Sequence, residues 1–330
     1  MGAEAGCAVV IVVLAAIAAG LVLLALAPDR FVAGSAGLAR HLGVSPVVVG
    51  AVIIGFGTSA PEMLVSGLAA LDGEPAVGIG NVVGSNLANL GLIVSVAALI
   101  APIQVHAGLL RRELPLTAAA TVLFALLVQD GLERWEGAVL LVALPVAVLV
   151  ILRGGAAAAD HPDAGEVELA EEVEEFIAEE VGPSVARMAL ATVVGLLGTL
   201  AGAQLLVWGA VDIAGRLDLS GGFVGLTIVA LGTSLPELVT AVAAARAGED
   251  QLILGNVLGS NLFNALAVGG VVGLVGPAAI DDASLTVGAV LLMLAITAVA
   301  AVVLTRRHNV TRAEALVLLI AYLACLPLLS

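Results

Sequence analysis

The amino-acid sequence predicts an all-α, multi-pass membrane protein of ten transmembrane helices, arranged as two inverted five-helix repeats. Three observations predict it. Of its 330 residues 61% are hydrophobic and the mean hydropathy is +1.17, whereas soluble domains hold about 45–50% apolar residues. Apolar stretches of about 20 residues, the length that crosses a hydrocarbon core about 30 Å thick, recur along nearly the whole chain. Residues 31–102 also overlay residues 206–277 at a constant offset of 175 without a gap, with 28 identities in 72 positions.

Lipid offers a bare backbone no hydrogen bonds, so a spanning chain is helical or a closed barrel. Runs without alternation, such as 139–152, exclude barrel strands. The predicted spans are 7–40, 44–71, 75–101, 108–128 and 134–153, then 183–215, 220–247, 250–276, 282–304 and 312–329. The first apolar stretch is longer than a secretory core and has no convincing basic leader or cleavage site, so it reads as a retained span. Between the two sets lies the one long polar segment, and it holds most of the excess charge. Ten of the 27 acids behind the net charge of −15 fall between residues 160 and 180. The expected organisation is a first five-helix repeat over 1–153, an acidic cytoplasmic linker over 154–182 and a second repeat over 183–330.

An odd number of spans per half turns the second half upside down relative to the first, a plan common among secondary transporters. Arginines set the orientation, since short cytoplasmic loops carry the excess of positive charge. With the N-terminus outside, Arg40, Arg111, Arg112, Arg153, Arg187, Arg246, Arg306, Arg307 and Arg312 fall inside, and only Arg134 and Arg216 outside. Both termini are expected to be extracellular, on a multi-pass protein of the cell membrane. Cys7 and Cys325 have neither metal-ligand spacing nor the pattern of a disulfide framework, and read as small buried hydrophobes.

The duplication is polar at its centre. Gly-Thr-Ser-Ala-Pro-Glu at 57–62 matches Gly-Thr-Ser-Leu-Pro-Glu at 232–237, and Gly-Asn-Val-Val-Gly-Ser-Asn-Leu-Ala-Asn at 80–89 matches 255–264 at eight of ten positions. A carboxylate in mid-membrane costs about 2.5–3.5 kcal/mol even on insertion scales and marks an ion path by default. Glu62 and Glu237 are such carboxylates. Each follows a proline, Pro61 or Pro236, which deletes a backbone donor and disturbs the preceding turn. Carbonyls about one turn upstream, Gly55 and Ala230, are the expected backbone ligands. Thr58 with Glu62, and Thr233 with Glu237, are i,i+4 pairs on one helix face.

The second motif sets Asn81, Ser85 and Asn89, and likewise Asn256, Ser260 and Asn264, at four-residue steps along a helix stripe. Their oxygens, with the carboxylates, suit a hard cation such as calcium, and no His or Cys lies in these segments to favour a softer metal. For Asn81, Asn86, Asn256 and Asn261, interhelical hydrogen bonding competes with ion ligation as the explanation. Two carboxylates about 5 Å apart would repel by roughly 3 kcal/mol at an effective dielectric near 20. One divalent cation, two monovalent cations or protons would neutralise them, and competition among these is a basis for exchange.

At these motifs the sequence resembles the calcium/cation antiporter superfamily, specifically the prokaryotic type of sodium/calcium exchanger. The resemblance implies a ten-helix fold around a hydrophilic loop, and antiport of Ca2+ against Na+ as cargo with no cofactor. It also implies roles: Glu62 and Glu237 as shared calcium and sodium carboxylates, Thr58 and Thr233 beside calcium, and Ser59, Ser85, Ser234 and Ser260 as sodium ligands. Asn89 and Asn264 take the central amide or acid positions. Asn264 departs from the pattern, since such exchangers often carry aspartate there. A proton-driven calcium antiporter is the nearest alternative, although that family usually shows Gly-Asn-x-x-Glu in place of Gly-Thr-Ser-x-Pro-Glu. A channel is weaker still, because nothing resembles a filter built from the loops of several subunits. No enzymatic activity is expected: His41, His106, His161 and His308 fall in predicted loops, out of reach of Ser59 and Ser234 as a base. The expected partners are the ions and the bilayer, with no nucleic acid and no obligate protein.

Overall fold

The computed structural model describes residues 2–42, 59–105, 107–156, 184–217, 219–248, 250–280, 282 and 284–328. It is a helical bundle. In chain order, α1 is Gly2–His41, α2 Ala60–Leu71, α3 Pro75–Ile100, α4 Glu113–Leu127 and α5 Arg134–Ala156. In the second half α6 is Val185–Leu217, α7 Gly221–Thr233 and α8 Leu235–Ala247. The ninth helix, α9, starts as Asp250–Phe263, passes through a π turn at Asn264–Val268 and closes with Gly269–Val275; α10 is Val290–Arg307 and α11 Arg312–Cys325.

Among the described residues six helices are long and apolar enough to cross a membrane, and the bent pair α7–α8 makes a seventh. The shorter α2, α4 and α11 fall below that length, and residues 43–58, expected to begin the second span, lie outside the described residues. Burial separates the bundle into layers. Of the most apolar stretches in α3 and α9, 78% and 83% of residues are inside the protein, against 22% in α1, 17% in α5 and 33% in α6. The repeat helices bearing the polar stripes therefore form the core. The others turn apolar side chains such as Val22, Leu26, Val142, Val193 and Leu197 outward, as a lipid-facing shell requires.

Small residues let the helices meet. A Cβ on Gly34 would stand 2.6 Å from the Met188 carbonyl, and one on Gly195 2.3 Å from the Phe31 nitrogen, so α1 and α6 touch backbone to backbone. In the core, a Cβ on Gly80 would meet the Gly222 carbonyl at 2.4 Å, and one on Gly84 the Leu226 carbonyl at the same distance. Close approach through glycine is how membrane helices gain packing energy when lipid is as apolar as they are. It draws α3 onto α7.

Several features recur at the repeat offset. The π turns Asn89–Ile93 in α3 and Asn264–Val268 in α9 occupy equivalent positions. The residues before the two proline-led helices, Ser59 at φ −88°, ψ 5° and Ser234 at φ −85°, ψ 8°, have nearly the same backbone. Two antiparallel two-residue ribbons tie loops of opposite halves: β1 (Ile103–Gln104) pairs with β4 (Asn309–Val310), and β2 (Gly131–Leu132) with β3 (Ala278–Ala279). Cys325 is buried, as its apolar setting suggested.

Gly84→Val puts methyl groups into the α3–α7 contact. Overpacking of this kind costs about 1–3 kcal/mol, so the purified variant is expected to lose its native size-exclusion profile at a lower temperature than the parent. An unchanged melting profile would mean that α3 and α7 do not approach this closely.

Candidate ion-binding site

The sequence Ser-x-Pro-Glu at the head of α2 and α8 is a capping-box pattern, in which the serine and the glutamate would satisfy the first amides of the helix. It is not used that way. Neither Ser59 nor Ser234 makes a side-chain cap, and proline stands in the first turn of each helix, where its missing N–H costs nothing. The glutamates are thereby released to face inward. Glu62 is 1% exposed and Glu237 0%, both in the first turn of a helix whose positive end favours negative charge.

Ser234, which heads the helix carrying Glu237, donates its hydroxyl to Glu62 Oε1 at 3.3 Å. Glu62 Oε2 and both carboxylate oxygens of Glu237 are buried without a hydrogen bond among the described residues. Among the described residues no arginine or histidine pairs with either glutamate, and no group of three or more His, Cys, Asp or Glu comes together. Buried carboxylates left this way are strongly unfavourable unless a cation or proton joins them.

Neutral oxygens surround them. Ser59 Oγ, Asn89 Oδ1 and Asn264 Oδ1 are buried and unpartnered in the same way. Thr233 gives its hydroxyl hydrogen to Asn81 Oδ1 at 3.1 Å or the Ala230 carbonyl at 3.3 Å, which leaves the threonine oxygen's own lone pairs open. Ser85 donates to Asn81 Oδ1 at 3.3 Å, and Ser260 is buried on α9 at the equivalent position. The Ala230 carbonyl, by contrast, also accepts the Ser234 amide at 3.1 Å. The donor that Pro236 lacks belongs two positions further along, opposite Gly232, as i→i−4 counting dictates. α7 and α8 meet there at a 41° bend. Thr58 and Gly55 lie outside the described residues.

The asparagines divide by partner. Asn81 donates to Ser66 Oγ at 2.9 Å and to the Glu62 carbonyl at 3.4 Å while its oxygen accepts from Ser85 and Thr233, so its side chain is a saturated joint between α2, α3 and α7. Asn89 Nδ2 donates to Asn261 Oδ1 at 2.8 Å, and Asn261 Nδ2 to the Asn86 carbonyl at 3.3 Å. These are the interhelical bonds that sequence reasoning left open for Asn81 and Asn261. Ser66 escaped it altogether, although its place four residues beyond Glu62 sets it on the same helix face.

Known proteins resemble both the sequence and this architecture. The profile of the family described as sodium/calcium exchanger protein matches residues 12–153 and 188–330. The chain is 39% identical over 309 residues to CaxA of Alkalimonas amylolytica, covering 92% of this chain and 94% of that protein. It is 30% identical over 341 residues to the sodium/calcium exchanger MaX1 of Methanosarcina acetivorans, covering 94% and 96%. Among solved structures it resembles the sodium-calcium exchanger NCX_Mj soaked with 100 mM Na+ and 10 mM Sr2+, at a TM-score of 0.65 and 30% identity, over 96% of this chain and 98% of that one. A profile that covers both halves, with a fold shared across nearly the whole length, makes this a transporter of the cation/calcium antiporter kind: the chain belongs to the sodium/calcium exchanger protein family.

Proposed function

We propose that the protein is a secondary active antiporter of the cell membrane that exchanges Ca2+ for Na+ by alternating access. The observation that carries this reading is the buried pair Glu62 and Glu237, with three of their four carboxylate oxygens unpartnered. Two formal charges and a set of neutral oxygens are what a dehydrated calcium ion requires. Two sodium ions would neutralise the same pair, so the cargoes compete for one site. MaX1 and NCX_Mj are sodium/calcium exchangers by name, which favours sodium over protons. The ligands proposed are Glu62, Glu237, Ser59, Ser85, Asn89, Thr233, Ser234, Ser260 and Asn264, with Thr58 and the carbonyls of Gly55 and Ala230. The Ala230 carbonyl would first have to exchange the hydrogen bonds it now accepts. Calcium uptake into proteoliposomes under separate sodium, potassium and pH gradients tests the coupling ion. Uptake driven by a pH gradient and indifferent to sodium would replace this reading with proton exchange.

Glu62→Gln and Glu237→Gln each remove half of the charge available to calcium, and each is expected to nearly abolish transport, to comparable degrees. Exchange at the parent rate in either folded variant would remove that residue from the site.

The transport reading carries a topology: five spans over 1–153, the linker over 154–182 on the cytoplasmic side, and five inverted spans over 183–330. Both ribbons support it, because each joins two loops that this arrangement puts on one side, β1 with β4 inside and β2 with β3 outside. In a cysteine-free background, single cysteines at Arg112 and Arg307 should label from the cytoplasm and those at Glu74 and Asp281 from outside. Labelling of positions 112 and 307 from opposite faces would break the topology.

Asn264 bears on stoichiometry. With an amide there, two carboxylates balance one Ca2+ or two Na+, and a third sodium would leave a dehydrated site with excess positive charge. The expected ratio is below three sodium per calcium, near electroneutrality. Reversal potentials at fixed gradients measure it, and a clear three-to-one value would refute the argument. Asn264→Asp should raise sodium dependence, or make transport pH-dependent if the added acid takes a proton because three crowded carboxyls cannot all ionise.

A further inference from the structure

The two halves of the site are equivalent in sequence and unequal in bonding. Three side-chain-to-side-chain hydrogen bonds near the glutamates cross from one half to the other. One, Thr233 to Asn81 at 3.1 Å, maps onto Thr58, outside the described residues, which leaves two to compare, Ser234 to Glu62 at 3.3 Å and Asn89 to Asn261 at 2.8 Å. Moving each by the repeat offset of 175 names its mate: Ser59 to Glu237, and Asn264 to Asn86. Neither mate is made. Ser59 Oγ, both oxygens of Glu237, Asn264 Nδ2 and Asn86 Oδ1 are all buried without partners.

A transported cation accounts for the unpartnered oxygens and not for Asn264 Nδ2. A carboxamide nitrogen only donates, and turning the amide over changes nothing, because oxygen and nitrogen alike lack partners. A buried orphan donor in a native core calls for an explanation. The acceptor of matching kind is Asn86 Oδ1, an orphan too, on α3, against which the turn beginning at Asn264 packs. Asn86 meanwhile gives its own amide hydrogens to Met293 Sδ at 3.5 Å, a weak acceptor. Its equivalent, Asn261, reaches the stronger carbonyl of Asn86. Asn261 holds Asn89 by the nitrogen and leaves Asn89 Oδ1 unpartnered among the described residues, so the amide bond also fixes the orientation of the proposed ligand.

We infer that Asn261 and Asn86 are positioning residues that act in turn: Asn261 holds Asn89 in the state seen here, and Asn86 holds Asn264 when the site faces the other side. The inference rests on the alternating-access reading. If two inverted repeats exchange conformations, the molecule opens to the opposite face, and every cross-repeat bond gives way to its mate. The offset of α3 against α9 that closes Asn89–Asn261 opens Asn264–Asn86, and the reverse offset does the opposite. Neither asparagine needs to touch an ion for this.

The test is the ratio of half-saturating calcium concentrations on the two membrane faces, measured in oriented vesicles for Asn261→Ala, Asn86→Ala and the double variant. Each single variant removes one state's bond, so the ratios should move in opposite directions, each by about 2- to 10-fold, the worth of one neutral hydrogen bond. The double variant should return to within about twofold of the parent. A purely structural role would lower the amount of folded protein or the maximal rate and leave the ratio alone. Shifts in the same direction, or folded single variants with the parent's ratio, overturn the inference. Should alanine prevent folding, Asn86→Ser and Asn261→Ser put the same question with a polar side chain retained. Absence of counter-ion-dependent uptake in the parent protein would instead defeat the antiport reading, so the two failures are distinguishable.

Discussion

Two carboxylates are buried in the bundle, and among the described residues no arginine or histidine pairs with them; most of the architecture can be read as the means of keeping them there. A buried carboxylate normally acquires a partner or gives up its charge. Among the described residues Ser234 donates a hydrogen bond to Glu62 Oε1, and Glu62 Oε2 and both carboxylate oxygens of Glu237 have no partner. A permanent arginine would neutralise the pair and end its usefulness, because a cargo must enter and also leave. The favourable ends of α2 and α8 offer partial compensation, since the first turn of a helix attracts negative charge without filling the place of an ion.

That constraint explains why α3 and α9 are central, although their stripes are the most polar of any span. Asn, Ser and Thr inside a membrane protein must spend their hydrogen-bonding capacity on neighbouring helices or on cargo. Asn81 does the first completely, tying α3 to Ser66 on α2 and Thr233 on α7. Asn89 divides its two ends, nitrogen to Asn261 and oxygen unpartnered among the described residues. Glycines at 80 and 84 bring the backbones near enough for these short side chains to meet. Remove the close approach and the polar stripe has nothing to bond.

Much of this was legible in the sequence, because composition, repeat and charge act through rules that need no coordinates. Six spans, and a bent pair as a seventh, follow from apolar length among the described residues, the burial of Glu62 and Glu237 from their place in apolar segments, and the matching backbone at Ser59 and Ser234 from an offset of 175 residues. What stayed hidden depended on three-dimensional register. The π turns at Asn89 and Asn264 leave no compositional mark. Upstream of Pro236 the expected free carbonyl was Ala230, yet helix geometry lets the Ser234 amide and the Thr233 hydroxyl reach that oxygen. The ribbons β1–β4 and β2–β3 join segments about 200 and 150 residues apart, and pairing at that distance has no local signature.

The inequality between the halves has a root that is visible once the bonds are known. Asn81 is anchored by Ser66, and the residue at the equivalent place in the second half is Ala241, which has no group to play that part. One half of the site can therefore brace its stripe against the proline-led helix through this bond and the other cannot. A single neutral hydrogen bond is worth about 0.5–1.5 kcal/mol, and a bias of that size between two otherwise matched arrangements favours one over the other by roughly two- to tenfold. A bias of that size is too small to lock two such arrangements into one. A perfectly duplicated site would give neither arrangement an advantage; the serine at 66 and the alanine at 241 make the two halves of this one chemically unequal.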